Sequence, residues 1–153
     1  MANSKAIGVA YSDQSIDGGS VDNSPIGAAT PSTVAGTTIY ASTEIGYAAA
    51  AQGAVTQATS KSTGVTLNTS AGRITMHNAS LGAGTTVLFT LTNSTLSAKD
   101  VLIVNIGSGG TSGAYWPYVA NLASGSAVIG IYNNTAGPLS EAIVLNFATI
   151  HCA

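Results

Sequence analysis

The chain has 153 residues and a net charge of −2, and Asp, Glu, Lys and Arg make up only 7% of it, against about 25% in ordinary globular domains. Four cationic side chains are too few for sequence-independent nucleic-acid binding, so nucleic acid is not expected as a partner. No apolar run is long enough to span a bilayer, so a membrane is not expected as a partner either. So few ions favour a chain that meets neighbouring subunits over much of its surface, because ions are costly to desolvate. A weakly charged extracellular domain is the alternative.

Residues 1–52 are predicted to form an extended N-terminal arm. This part is rich in Gly and Ser, and the stretch 17–27 reads as one turn after another. Its apolar residues are isolated, so they could attach the arm to another surface but could not form a core. A disordered tail is the alternative interpretation. Near the end of the arm, the Ala-rich run 48–51 predicts a helical turn.

Residues 53–153 are predicted to form a β-sandwich domain. Segments rich in Val, Ile, Thr, Phe and Tyr alternate there with clusters of Gly, Asn and Ser. Val87, Phe89 and Leu91 share one face of a strand, which is the alternation of a half-buried sheet. The eight candidate strands are 55–60, 64–68, 72–77, 85–93, 100–106, 114–122, 126–133 and 141–151.

The connections and the strand compositions predict how these strands are arranged. Most connections are short, which suits antiparallel hairpins, and no helix is available for a parallel crossover. The strand 100–106 is apolar on both faces, as a strand covered on both sides would be. Pro117 cannot donate to a ladder, so its strand is expected at an edge or beside a bulge. The fold class is therefore all-β: an antiparallel, jelly-roll-like β-sandwich of about eight strands.

Four Asn-x-Ser/Thr sequences occur, at Asn68, Asn78, Asn93 and Asn133. No secretory signal is recognisable at the start of the chain, so these sequences are interpreted as turn composition rather than glycan sites. The single cysteine, Cys152, cannot form an internal disulfide, which fits assembly in a reducing cytoplasm.

The sequence offers no catalytic constellation, and we expect a protein that is not an enzyme. Three aspartates, Asp13, Asp17 and Asp22, lie in the arm, where nothing would desolvate them. His77, His151 and Cys152 do not have the spacing of zinc ligands, and no Gly-x-Ser-x-Gly sequence occurs. No cofactor and no metal are expected.

One dense aromatic cluster stands out, formed by Tyr115, Trp116 and Tyr118 around the proline. Such a cluster can contact another subunit or stack on the sugar rings of a ligand. Ordinary core and rim packing is the alternative reading of the same three residues.

Several segments resemble structural proteins of tailed-bacteriophage virions. The stretch 15–32, SIDGGSVDNSPIGAATPS, is similar to a segment found in phage fibre and virion proteins. The stretch 55–68, VTQATSKSTGVTLN, is similar to the opening of a small β-domain of phage head and tail proteins, as are GRITM at 72–76 and LSEAIVLNF at 139–147. The closest likeness is to small capsid decoration (cement) proteins.

The resemblance implies a homotrimer on the capsid surface of the virion, assembled in the host cytoplasm. Its arms would bind the major capsid protein and stabilise the capsid lattice. The candidate capsid contacts on the arm are Ile16, Val21, Ile26 and Tyr40. The alternative role implied by the same likeness is a head or tail fibre or spike module that binds a host receptor glycan.

Overall fold

The computed structural model describes Gly36 and residues 38–152 of the chain. The chain divides into two compact units, Met1–Ser42 and Thr43–Ala153. In the first unit, the residues that the structure describes form neither helix nor strand. The second unit also includes residues 43–52 of the predicted arm.

The second unit is all-β. A single 3₁₀ turn at Ala49–Ala51 matches the predicted helical turn. Each of the eight predicted strands is present, with ends that differ by a few residues. The strands are β1 Gln52–Thr56, β2 Val65–Thr66, β3 Ala71–Thr75, β4 Thr86–Thr92, β5 Val101–Ser108, β6 Tyr115–Ala123, β7 Ser126–Asn133 and β8 Val144–Ile150.

The strands form two four-stranded sheets that pack as a β-sandwich. Sheet A has the order β1-β3-β8-β5, and sheet B has the order β2-β4-β7-β6. Every connection crosses from one sheet to the other except that between β6 and β7, a hairpin whose Gly125 has a φ of +78°. The two packed sheets confirm the predicted β-sandwich. The other short connections are therefore arches between sheets and not the hairpins that their length suggested.

Both sheets are mixed and not purely antiparallel. Strands β1 and β3 pair in parallel, as do β2 and β4, while the remaining pairs are antiparallel. The reason lies in the alternation between layers. From β1 the chain crosses to the other sheet as β2 and returns beside β1 as β3, so that a strand takes the place of the usual crossover helix.

The core lies between the two sheets and is built from the inward positions of each strand. Ile74 and Leu145 of sheet A, and Leu91, Ile129 and Ile131 of sheet B, are 0% exposed. Burial of each such side chain contributes about 1.5–3 kcal/mol. The alternation predicted for β4 is confirmed, since its inward residues are buried or partly buried and its outward residues are exposed.

Two buried asparagines form hydrogen-bonded turns at the ends of strands β4 and β7 in sheet B. Asn93 and Asn133 are 0% exposed, and the Oδ1 of each accepts bonds from the threonine two residues later, through both the amide and the hydroxyl. The Nδ2 of Asn133 donates to three carbonyls, at 2.9–3.1 Å. These two Asn-x-Thr sequences are therefore structural turns, and the folded chain does not present their amides for glycan attachment.

Candidate interaction surfaces

The predicted aromatic cluster is divided between the two faces of β6. Tyr115 points into the core and is 5% exposed, whereas Trp116 and Tyr118 stand on the outer face of sheet B and are 56% and 43% exposed. Pro117 lies in a strand that is both an edge of its sheet and bulged, as predicted. The structure therefore brings together only two of the three residues on one accessible surface.

A bulge in β6 adds an amide to the same surface. The pairing of β6 with β7 shifts between Val119 and Asn121, so that Ala120 is an extra residue. Asn121 then pairs with Val128 and lies on the outer face of the sheet, with Trp116 and Tyr118. Without the bulge, strand alternation would turn Asn121 towards the core.

A glycine in the central strand allows Tyr118 to lie across the sheet. Gly130 pairs with Tyr118 on one side and with Leu88 on the other. A Cβ at Gly130 would clash with three carbons of the Tyr118 ring, so the ring lies directly over the glycine. In the next row, the rings of Trp116 and Tyr132 have centroids 6.0 Å apart and are tilted by 50°. We call this surface, formed by Leu88, Trp116, Tyr118, Asn121 and Tyr132, the aromatic face.

The aromatic face belongs to a sheet without ionisable Asp, Glu, Lys, Arg or His. None of these residue types occurs in β2, β4, β6 or β7. Its exposed polar groups are hydroxyls and amides, among them those of Thr86, Thr90 and Asn121. Covering this surface would therefore leave no charge to be desolvated.

A second apolar surface lies on the outer face of sheet A, where β5 is an edge strand. Val101 pairs with Ile150, and Ile103 pairs with Ala148. Val101 and Ile103 are each 50% exposed, and Ile150 is 54% exposed. We call this surface, formed by Val101, Ile103, Ala148 and Ile150, the β5 face.

The free edge of β5 lacks the usual protection against pairing with another chain. Its sequence, VLIVNIGS, contains no charged residue and no proline, the residues that commonly protect edges. Its only interruption is the register shift between Ile106 and Ser108. The sequence predicted a strand covered on both faces, and the described part of the chain covers only the inner one.

The ammonium group of Lys61 is engaged in the fold. Lys61 is 2% exposed, and its Nζ donates to the carbonyls of His77 and Glu141, both at 2.6 Å. The pKa of Lys61 is lowered, because burial lowers it more than the neighbouring Glu141 carboxylate raises it. The ammonium thus joins two loops and is not free to act as a nucleophile or a base.

The Glu141 carboxylate lies beside the buried phenol of Tyr115. Its Oε1 accepts a bond of 2.7 Å from the Thr111 hydroxyl, which is the main reason that the pKa of Glu141 is lowered. Burial raises the pKa of Tyr115 to about 12, and the neighbouring Glu141 adds to the rise. Tyr115, Glu141 and Thr111 thus form one structural cluster.

His151 and Cys152 both contact Asp100. His151 Nδ1 lies 2.9 Å from Asp100 Oδ2, and the amide of Cys152 donates to Oδ1 at 3.2 Å. Across the described range, no three His, Cys, Asp or Glu side chains come together as metal ligands would. The contacts of Asp100 bind the strand ends together.

Of the four predicted capsid contacts on the arm, one lies among the residues that the structure describes. Ile16, Val21 and Ile26 lie outside the residues that the structure describes, and Tyr40 lies within them and is 92% exposed. Sequence reasoning missed the other members of the aromatic face and the whole β5 face. The apolar outward positions of β5 were a usable signal, but they were read as a strand covered twice.

Comparisons with known proteins return no match: no family model, no curated protein and no solved structure corresponds to this chain. Within the range that the structure describes, no helix has the length and apolar character needed to cross a membrane.

Proposed function

We propose that this protein is a non-enzymatic structural protein of a tailed-phage virion, which decorates the capsid as a homotrimer and stabilises the lattice of the major capsid protein. The observation that carries this proposal is the β5 face beside its unprotected strand edge. The resemblance of segments 15–32 and 55–68 to phage virion proteins supports the same role.

Self-association is supported by the chemistry of β5. An exposed edge strand presents unpaired N–H and C=O groups to any second chain. Here two outward side chains of the edge strand, Val101 and Ile103, are apolar, and the neighbouring strand β8 adds Ala148 and Ile150. A second copy placed against this surface would cover mainly apolar area. Three copies around an axis give closed symmetry, in which no such edge is left free.

Capsid binding is assigned to the arm, residues 1–52. An extended segment can add strand-like hydrogen bonds to a partner, and its isolated apolar residues can fill small pockets. Ile16, Val21, Ile26 and Tyr40 are the proposed contacts. Three arms on one trimer act together, because binding of the first raises the effective concentration of the others. Modest affinity for each arm then gives long residence on the capsid.

Solution mass and capsid binding together test this proposal. We expect the purified protein to have a mass close to three times 15.0 kDa. We expect it to co-sediment with purified capsids of the phage that encodes it, in a fixed ratio to the capsid protein. Removal of residues 1–40 should abolish co-sedimentation and leave the trimer intact. A monomer at micromolar concentration, or unchanged binding by the truncated protein, would contradict the proposal. A few copies at one site of the particle would indicate a fibre instead.

A further inference from the structure

We propose that the aromatic face is a binding site for neutral carbohydrate, on which pyranose rings stack over Tyr118 and Trp116. This inference rests on sheet B alone. It does not depend on the role proposed for β5 or on the position of the protein in a virion.

The first argument is the shape of the surface. The Tyr118 ring lies over Gly130, in the one row of the central strand that has no side chain. Because the ring lies across the glycine, it lies along the sheet surface and does not project from it. Trp116 is two residues away on the same strand, at a separation of about 7 Å. The two side chains therefore stand next to each other on one accessible face of the sheet, over a distance longer than a single sugar ring.

The second argument is that the platform is pre-organised. Trp116 packs against Tyr132 at a centroid distance of 6.0 Å and a tilt of 50°, an arrangement that favours one ring orientation. The Tyr118 ring lies against the backbone of Gly130, and Leu88 is the next residue in the same row of the sheet. Ligand binding then requires little further ordering of side chains. Even so, both rings keep about half of their surface accessible, at 56% and 43%.

The third argument is the polarity around the rings. A pyranose has an apolar C–H face and a rim of hydroxyl groups, so it needs a flat ring and nearby neutral donors and acceptors. Thr86 lies in the row of Trp116 and Tyr132, and Thr90 lies in the row of Val128 and Asn121. The bulge in β6 is what turns the Asn121 amide to this side. A protein partner would more commonly receive an aromatic residue into a pocket than onto a flat surface.

The absence of charge restricts the ligand class. The strands of sheet B contain no Lys or Arg, and Arg73 lies on β3 of the opposite sheet. A carboxylated or sulfated sugar would find no cation on this face to balance its charge. We therefore assign neutral saccharides and exclude acidic ones.

The chain provides its own reporter for a test, because Trp116 is its single tryptophan. Fluorescence of the full-length protein is measured during titration with three neutral polysaccharides, namely dextran, laminarin and galactomannan, and with heparin as the acidic comparator. We expect at least one neutral polysaccharide to shift the emission to shorter wavelength and to protect Trp116 from acrylamide quenching. We expect no effect from heparin.

Variants of Tyr118 separate ring stacking from other causes. Tyr118→Ala keeps the reporter and should weaken binding about three- to tenfold, as loss of one aromatic stacking contact implies. Tyr118→Phe keeps the ring and should bind as the wild type does. Ile103→Ala, on the β5 face, is the matched control and should also bind normally. Equal thermal unfolding midpoints for the variants would show that each is folded.

Four outcomes would overturn the inference. The first is no spectral change with any of the three neutral polysaccharides. The second is undiminished binding by Tyr118→Ala. The third is a response to heparin equal to the response to a neutral polymer. The fourth is emission that changes with protein concentration but not with polysaccharide, since this would make the aromatic face a contact between copies of the chain.

Discussion

His151 and Asp100 join the end of one strand to the beginning of its neighbour. The Nδ1 of His151 lies 2.9 Å from Oδ2 of Asp100, a residue 51 positions earlier in the chain. Between them lies the pair Val101 and Ile150, where β5 and β8 meet at one end of sheet A. The Asp100 side chain is 1% exposed, whereas that of His151 is 48% exposed. The pair therefore holds the edge strand of the β5 face in its register.

The first prediction concerns the pH dependence of stability. The Ser97 amide donates to Asp100, and together with bonds from Cys152 and His151 it lowers the pKa of Asp100 despite burial. A carboxyl group with a lowered folded pKa stabilises the fold above its unfolded pKa of about 3.9, and this contribution is lost as the pH falls through the folded value. We expect Asp100→Asn to lower the thermal midpoint at neutral pH, with a difference from wild type that shrinks below about pH 4. A difference independent of pH would contradict this assignment.

The second prediction concerns Tyr115 at alkaline pH. Burial raises its pKa to about 12, so the folded chain keeps a proton that the unfolded chain loses near pH 10. Stability should therefore fall as the pH rises from about 10 to about 12. In an absorbance titration of tyrosinate, Tyr115→Phe should remove the step near pH 12.

At neutral pH, Tyr115→Phe should lower the free energy of unfolding by about 1 kcal/mol, because it removes the phenol that lies beside the buried Oε2 of Glu141. Persistence of the late titration step in this variant would assign that step to another group.

The third prediction concerns the buried amide of Asn133. Its Nδ2 donates to the carbonyls of Leu81, Gly82 and Gly137, and its Oδ1 accepts two bonds from Thr135. Asn133→Ala would remove all of these bonds, at a cost of about 3 kcal/mol in the free energy of unfolding. Its exposed neighbour provides the control, since Asn134→Ala should cost less than about 0.5 kcal/mol. Urea denaturation measures both values, and equal losses would show that the amide has no special role.

The fourth prediction concerns the glycine under Tyr118. Gly130→Ala places a methyl group where the ring lies, so the ring must move away from the sheet. The ring is partly exposed and can rotate, so we expect a loss of only about 1 kcal/mol in stability. The ring resonances of Tyr118 should shift in NMR spectra, and polysaccharide binding should weaken. Gly46→Ala, where the added Cβ meets nothing within 4 Å, is the control. Unshifted Tyr118 resonances in Gly130→Ala would refute the geometry described.

The fifth prediction tests the β5 face as a contact between copies. Ile103→Lys places a charge in the centre of this face, where its desolvation would oppose association. We expect light scattering to give a smaller mass for this variant than for the wild type. Thr90→Lys adds the same charge to the outer face of sheet B and should leave the mass unchanged. A full-size assembly of the Ile103→Lys protein would locate the contact elsewhere.

The strands were predictable because their signals are local. Alternation of Val87, Phe89 and Leu91 sets the inward face of β4 without knowledge of its neighbours. Strand pairing was not predictable in the same way. The parallel pairs arise because the chain alternates between layers, and the length of an arch between layers is similar to that of a hairpin. Loop length alone therefore could not distinguish the two.

The candidate surfaces were predictable only in part, for a similar reason. Trp116 and Tyr118 are close in sequence, so the cluster was visible, and the period of two in a strand separates Tyr115 from them once β6 is known. Tyr132 and Leu88 join the aromatic face through strand register, which no local pattern specifies. Asn121 joins it through a bulge, and a single inserted residue such as Ala120 leaves no clear mark in the sequence.

The place of β8 in sheet A has a consequence for the order of events during synthesis. β8 lies between β3 and β5 and pairs with both, yet it follows them in the chain by many residues. In a nascent chain that ends before Val144, the edges of β3 and β5 that face β8 have no partner between them. Sheet A can close only after residues 144–150 have left the ribosome. Until then, the exposed edges of β3 and β5 are open to pairing with other nascent chains, so rapid release or a chaperone should raise the yield of folded protein.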